Sequence, residues 1–147
     1  MTASSRRSRP RADQGLLARR LALLALFEDE FRPGSAAAAL DRLCDERSVP
    51  SDAREHAAAI VRGVTERRSE LDARIALEAP LIPVAELGRV ERTILRSALY
   101  EVLYSAATPS GETMRDAVSL ARIYAGDAAR RLVNGVLGSV SRSGGGA

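Results

Sequence analysis

The chain has 147 residues, 46% hydrophobic and 28% charged, a balance that suits one folded domain with its own core. The net charge of +3 is uneven: residues 1–20 hold six Arg against one Asp, and the remainder holds 16 Arg against 18 acids. A lone cysteine, Cys44, rules out an internal disulfide, and no apolar run approaches the roughly 18 residues of a membrane span, so disulfide scaffolds and spanning helices are set aside.

In chain order, residues 1–12 are rich in Ser and Arg, contain Pro10 and lack an apolar period, so they read as a flexible arm. Asp13 is placed to cap a first helix whose apolar face is Leu17, Leu21, Leu24, Phe27 and Phe31, ended by Pro33-Gly34. Ser35 is placed to cap a short Ala-rich helix running to about Glu46. After Val49-Pro50, Ser51 opens a third helix with Ala57, Ile60, Val61, Val64 and Leu71 inward and a kink expected near Ser69. Pro80 and Pro83 bracket a linker.

The helix expected over 85–105 carries two apolar stripes side by side, Leu87, Val90, Ile94, Ala98 and Val102 beside Leu95, Leu99 and Leu103. So wide an apolar arc fits a central helix packed on several sides, with Arg89, Arg92 and Arg96 left as a polar strip. Thr108-Pro109-Ser110-Gly111 is a turn before a helix over 112–125, with Met114, Ala117, Val118, Ala121 and Tyr124 inward. Gly126-Asp127 separates it from a last helix over 128–141, with Leu132, Val133, Val136, Leu137 and Val140 inward. Residues 143–147 read as a tail. No period-two strand pattern persists, so the expected fold is all-α, six or seven helices in a single domain over 13–142.

Little in the chain suggests catalysis. His56 is the only histidine and, like Cys44, has no second metal ligand at a usable spacing. The carboxylates sit in helices beside Arg, where solvated ion pairs are the simpler reading than an acid–base pair. Gly144-Gly145-Gly146 has no strand before it or helix after it and cannot be a phosphate loop. The chain is therefore read as a non-enzyme with no cofactor, no metal and no small-molecule substrate. Arg6-Arg7 has the form of a twin-arginine export signal, but Arg19-Arg20 and Glu28-Asp29-Glu30 interrupt the apolar stretch that follows, so the expected location is cytoplasmic.

Binding has more to stand on. All 22 basic residues are Arg, each a planar fork able to hold two phosphate oxygens or to stack on a base. Arg6, Arg7, Arg9 and Arg11 run toward Arg19 and Arg20 on the first helix, and Arg130-Arg131 sits near the start of the last. Side by side, these two regions would form an Arg-lined surface with salt-dependent affinity for a polyanion. Tyr100, Tyr104 and Tyr124 could stack on bases, although tyrosines at helical spacing more often face the core. Gly135, inside the last helix, reads as a site of close helix approach, with Asn134 beside it available to satisfy a backbone group.

A family pattern runs through these elements. Val90-Glu91-Arg92-Thr93-Ile94-Leu95-Arg96-Ser97-Ala98-Leu99-Tyr100-Glu101-Val102-Leu103 resembles the "VE-x-x-ILR-x-ALYEL" helix of the NusB family. Thr108-Pro109 stands at its "VP" turn, Asp116 to Arg122 resembles its "NEAVELAK", and Val133-Asn134-Gly135-Val136-Leu137 its "FVNGVL". Upstream, Arg19 to Phe27 resembles "ARELALQALY", and Gly63-Val64 with Leu71-Asp72 fits "GV…LD". The resemblance implies two small helical subdomains sharing a long central helix. It implies an antitermination adaptor that pairs with ribosomal protein NusE, binds single-stranded boxA RNA, and so helps the RNA polymerase elongation complex past terminators, chiefly on ribosomal RNA operons. The Arg-rich N-terminus would meet the RNA, and the helix bearing Glu91 would face NusE.

Departures fall on the surface that the resemblance implies makes contact. Gly15-Leu16-Leu17 stands where the family has its Arg run, Arg20 replaces a Glu, Arg115 an Asn, Leu132 a Phe, and Ala128-Ala129 a frequent Asp-Ser. Two other functions fit the same fold: a detached targeting module of a ribosomal RNA methyltransferase, and a protein-only interaction module.

Overall fold

The computed structural model describes residues 11–105 and 110–143. Among these residues seven α-helices follow one another: α1 (Arg11–Phe31), α2 (Ala36–Arg47), α3 (Ser51–Glu66), α4 (Arg68–Glu78), α5 (Arg89–Tyr104), α6 (Ser110–Ala125) and α7 (Asp127–Arg142). A 3₁₀ turn at Val84–Glu86 precedes α5, and no strand occurs among the described residues. The all-helical expectation is met.

Helices α1, α2 and α3 pack on one another, as do α5, α6 and α7, with α4 against α5 and α7. α5 is the shared element, touching α1 and α3 of the first group and α4, α6 and α7 of the second. It is central but not the longest; α1 has 21 residues and α5 has 16. The expected start of α5 was too early, because residues 84–86 form the separate 3₁₀ turn and Leu87 is extended.

The breaks have local causes. Pro33-Gly34 stops α1, with Gly34 at φ +93°. Gly126, at φ +96°, turns between α6 and α7 while its N–H binds the carbonyls of Ala121 and Arg122, a conformation that favours glycine. The third helix breaks at Arg67, two residues before the expected kink. Asp13 does not cap α1, which starts at Arg11; it lies within the first turn, where a carboxylate favours the helix dipole. Ser35 occupies the N-cap of α2 but its Oγ bonds nothing among the described residues. Asp29 takes over that work from the preceding helix, its Oδ1 accepting from the N–H groups of Gly34 at 2.8 Å and Ala36 at 3.2 Å.

The inner faces of α3, α5 and α7 follow the apolar patterns. That of α1 does so only in part: of the expected face Leu21 is buried, and Leu17, Leu24 and Phe27 are half-buried. Its buried apolar residues are Ala18, Leu21, Ala22, Leu23, Ala25 and Leu26, while Phe31 is 58% exposed. α1 is packed by α2, α3, α5 and α6, and small alanines allow that approach where large residues would hold the helices apart. Tyr124 of α6 is likewise exposed rather than inward. Gly135 is exposed and a Cβ there would meet nothing within 4 Å, so it is not a point of close approach, and Asn134 beside it is exposed. Gly63 has that role instead, since a Cβ there would sit 2.1 Å from the Tyr100 ring.

Candidate nucleic-acid interface

The arginines predicted to bind a polyanion separate into different environments. Arg6, Arg7 and Arg9 lie outside the described residues, and Arg11 is described only as the first residue of α1. Arg20 is half-buried, its Nε enclosed with no partner among the described residues.

Arg19 is not a surface residue. It is 5% exposed and fully engaged: Nε donates to Glu101 Oε1 at 2.8 Å, Nη2 to Glu101 Oε2 at 3.2 Å and to Thr113 Oγ1 at 3.2 Å, and Nη1 to Asp116 Oδ2 at 2.7 Å. Four of the five guanidinium N–H groups are thus taken, on a side chain with almost no exposure. This corrects its place among the RNA-facing residues. It sits on the buried arc of α1 and ties that helix to α5 and α6.

The network reaches solvent at both ends. His56 of α3 lies with Nε2 2.8 Å from Glu101 Oε2, and exposed Arg115 approaches the second oxygen of Asp116 at 3.8 Å. Burial alone would raise the Glu101 carboxyl, but hydrogen bonds from His56 and Arg19 outweigh it and hold the group below its usual value. Burial would lower the Arg19 pKa, and the two carboxylates reverse that as well. The arrangement fixes the start of α1, from which the N-terminal Arg cluster runs, against the start of α6. Gly15 makes the contact possible, for a Cβ there would lie 2.8 Å from Arg19 Nη1 and 3.1 Å from Glu112 Oε2.

Arg130 and Arg131 share one acid. Arg130 Nε donates to Asp127 Oδ1 at 2.7 Å, and Arg131 donates to Asp127 Oδ2. The hydrogen bond from Arg130 holds the Asp127 carboxyl below its ordinary value. Among the described residues, Arg19 and the Arg130-Arg131 pair are not brought side by side. Arg19 meets α6 at Thr113 and Asp116, whereas α7 begins beyond Ala125 at the other end of that helix. Nine to twelve residues of helix put them on the order of 15 Å apart along its axis.

The polar strip expected on α5 is also mostly internal. Arg96, 7% exposed, makes a two-pronged bond to Asp72 of α4 at 2.7 and 2.8 Å and reaches Glu30 of α1 at 3.2 Å. Arg92 joins the same Glu30, and its Nη1 lies 3.4 Å from the carbonyls of Val84, Ala85 and Leu87, which tethers the linker to α5. Glu91, the predicted partner-facing residue, is half-buried in the first turn of α5, its carboxylate lying over Gly88. Upstream on the same segment Leu77, Leu81 and Ile82 are exposed.

The sequence reading missed the internal roles of Arg19, His56, Arg96, Glu101 and Asp116. A signal was present: Arg19, Glu101 and Asp116 occupy helix positions in register with buried apolar neighbours, three or four residues from Ala22, Ala98 and Leu120. Among the described residues no group of three or more His, Cys, Asp or Glu could hold a metal, and no helix is long and apolar enough to cross a membrane.

Known proteins share this architecture. The family model of the NusB family matches residues 16–142. Transcription antitermination protein NusB of Herpetosiphon aurantiacus is 37% identical over 125 residues, covering 83% of this chain and 86% of that protein. The protein of the same description from Symbiobacterium thermophilum is 38% identical over 133 residues, covering 85% and 87%. Among solved structures, T. maritima NusB superimposes with a TM-score of 0.81 at 28% identity, covering 92% of this chain and 93% of that one. A chain from the crystal structure of antitermination factors NusB and NusE in complex with dsRNA does so with a TM-score of 0.81 at 27% identity, covering 92% and 99%. Sequence motifs, helix order and superposition converge along nearly the whole length, and this chain belongs to the NusB family.

Proposed function

We propose that this chain is an RNA-binding transcription antitermination adaptor that, with NusE, binds boxA-type RNA and supports transcription of ribosomal RNA operons. The observation that supports it best is the likeness, at nearly full coverage, to a chain crystallised among NusB, NusE and dsRNA. The charge distribution agrees with that reading. Five positive charges in excess sit in residues 1–20, ahead of a nearly neutral body. Arg6, Arg7, Arg9, Arg11 and Arg20 would supply phosphate contacts, with Arg130 and Arg131 as a separate, partly neutralised site. Arg19 would act by position, holding the start of α1 in place. Glu91, with the exposed Leu77, Leu81 and Ile82 of the segment that leads into α5, would lie on the NusE side.

Fluorescence anisotropy with labelled boxA RNA tests the reading, alone and with NusE present. The expected result is a preference for boxA over a scrambled strand that grows when NusE is added. Equal affinity for both strands under both conditions would overturn it. One observation favours the protein-only alternative: Arg19, Arg130 and Arg131 are already engaged by carboxylates. That alternative expects NusE binding with no RNA affinity at low ionic strength.

A further inference from the structure

We propose that Arg92 is a positioning residue for NusE docking, holding the linker between α4 and α5 in the shape that presents Leu81 and Ile82; the inference rests on the NusE-side reading above. Leu81 is 94% exposed and Ile82 38%, and Leu77, in the last turn of α4, is 72% exposed. Large apolar side chains left in water within one short stretch of chain mark a contact surface for another protein. The stretch is not a helix or a strand. Its own backbone bonds are short turns, from Ile82 N–H to Ala79 at 3.3 Å, Glu86 N–H to Pro83 at 2.9 Å and Leu87 N–H to Val84 at 3.1 Å. Leu87 is buried and Val84 packs against the core, so the second half of the linker is seated and the first half projects.

Arg92 reaches back from the start of α5 to that seated half. Its Nη2 donates to Glu30 near the end of α1, while its Nη1 lies 3.4 Å from the carbonyl oxygens of Val84, Ala85 and Leu87. Glu30 is itself held in place, because its Oε2 accepts from Arg96 Nη1 at 3.2 Å and Arg96 Nε donates to Asp72 of α4 at 2.7 Å. The fixed acid aims the guanidinium at the linker. The Arg92 side chain is only 13% exposed, so water competes little for these contacts.

A planar fork is suited to this task, since one nitrogen can face a carboxylate while the other faces a group of carbonyls. A lysine ammonium is a compact point charge and cannot span both. Without the tether the linker would sample other shapes. A partner that needs one shape binds only the fraction of molecules holding it, and the cost of ordering the rest falls on binding.

The test uses the full chain and purified NusE. Arg92→Lys keeps a positive charge beside Glu30 and removes the fork. Amide hydrogen exchange should quicken at Glu86 and Leu87, and NusE should bind about 2- to 10-fold more weakly, with the loss in the association rate. Leu81→Asp, at a side chain too exposed to support the fold, should weaken NusE binding about 10-fold or more. Faster exchange in Arg92→Lys with unchanged NusE kinetics, while Leu81→Asp impairs binding, would overturn the positioning role and leave the docking reading standing. Unchanged exchange at both amides would overturn it as well. NusE binding unaffected by Leu81→Asp would overturn the NusE-side reading and the positioning role with it.

Discussion

Arg19 and Glu101 form a two-pronged, buried ion pair at 2.8 and 3.2 Å, with side chains 5% and 2% exposed, across 82 residues of sequence. A charged pair so deep is not a cheap source of stability, because desolvating both groups offsets much of their attraction. Its effect is geometric. With Asp116 and Thr113 it leaves α1 one way to sit on α5 and α6.

Removing either member should be costly because the other remains buried. Arg19→Ala is expected to destabilise the fold by about 3 to 5 kcal/mol, read from the urea midpoint and slope. A loss below about 1 kcal/mol would mean that the site hydrates freely and does not anchor α1.

The depressed carboxyl groups give stability a sign with pH. Burial tends to raise Glu101, Asp29 and Glu30, but hydrogen bonds outweigh it: from His56 and Arg19 to Glu101, from Arg68 and the α2 backbone to Asp29, and from Arg92 to Glu30. Each group's folded value lies below its unfolded one, so its contribution is present above the unfolded value and is lost as pH falls through the folded value. The urea midpoint should hold on descent to about pH 5 and then fall. Glu101→Gln should be less stable at neutral pH and show a shallower acid slope; an unchanged slope would contradict the assignment.

Two glycines should respond oppositely to alanine. Gly63→Ala drives a Cβ into the Tyr100 ring and is expected to cost about 1 to 3 kcal/mol as overpacking. Gly135→Ala meets open space on an exposed helix face and should gain up to about 1 kcal/mol of helix propensity. Thermal unfolding of the two variants checks the contrast.

The cap of α2 comes from a distant residue, and a mutant pair can show it. Asp29→Ala should cost about 0.5 to 2 kcal/mol for the lost cap, with a further penalty for separating Arg68 from its partner. Ser35→Ala, at the position where a cap is normally sought, should change stability little, because the hydroxyl bonds nothing among the described residues. The same urea titrations distinguish the two.

Helix number and order were legible because their punctuation is chemical: Pro33-Gly34, Val49-Pro50, Pro80 to Pro83 and Gly126 interrupt strong apolar periods. The inner face of α1 was legible only in part, because reading large residues as core overlooks a helix crowded by four others, where alanine is the residue that fits. Charged residues were sorted to the surface by type, yet Arg19, Arg96 and Glu101 are buried, and only tertiary partners drawn from 24 to 97 residues away make that tolerable. Whether the two basic regions meet depended on the direction of α6, which no local pattern encodes.

The central claim is that an aliphatic scaffold carries an arginine-rich end that holds RNA. It is tested most directly by measuring boxA affinity against salt for the full chain and for a chain lacking residues 1–10, each with NusE. The account predicts that the truncated chain binds more weakly and that its log–log salt slope is shallower by up to about 2, for three fewer arginines at about 0.7 each. Identical affinity and slope for the two chains would contradict it.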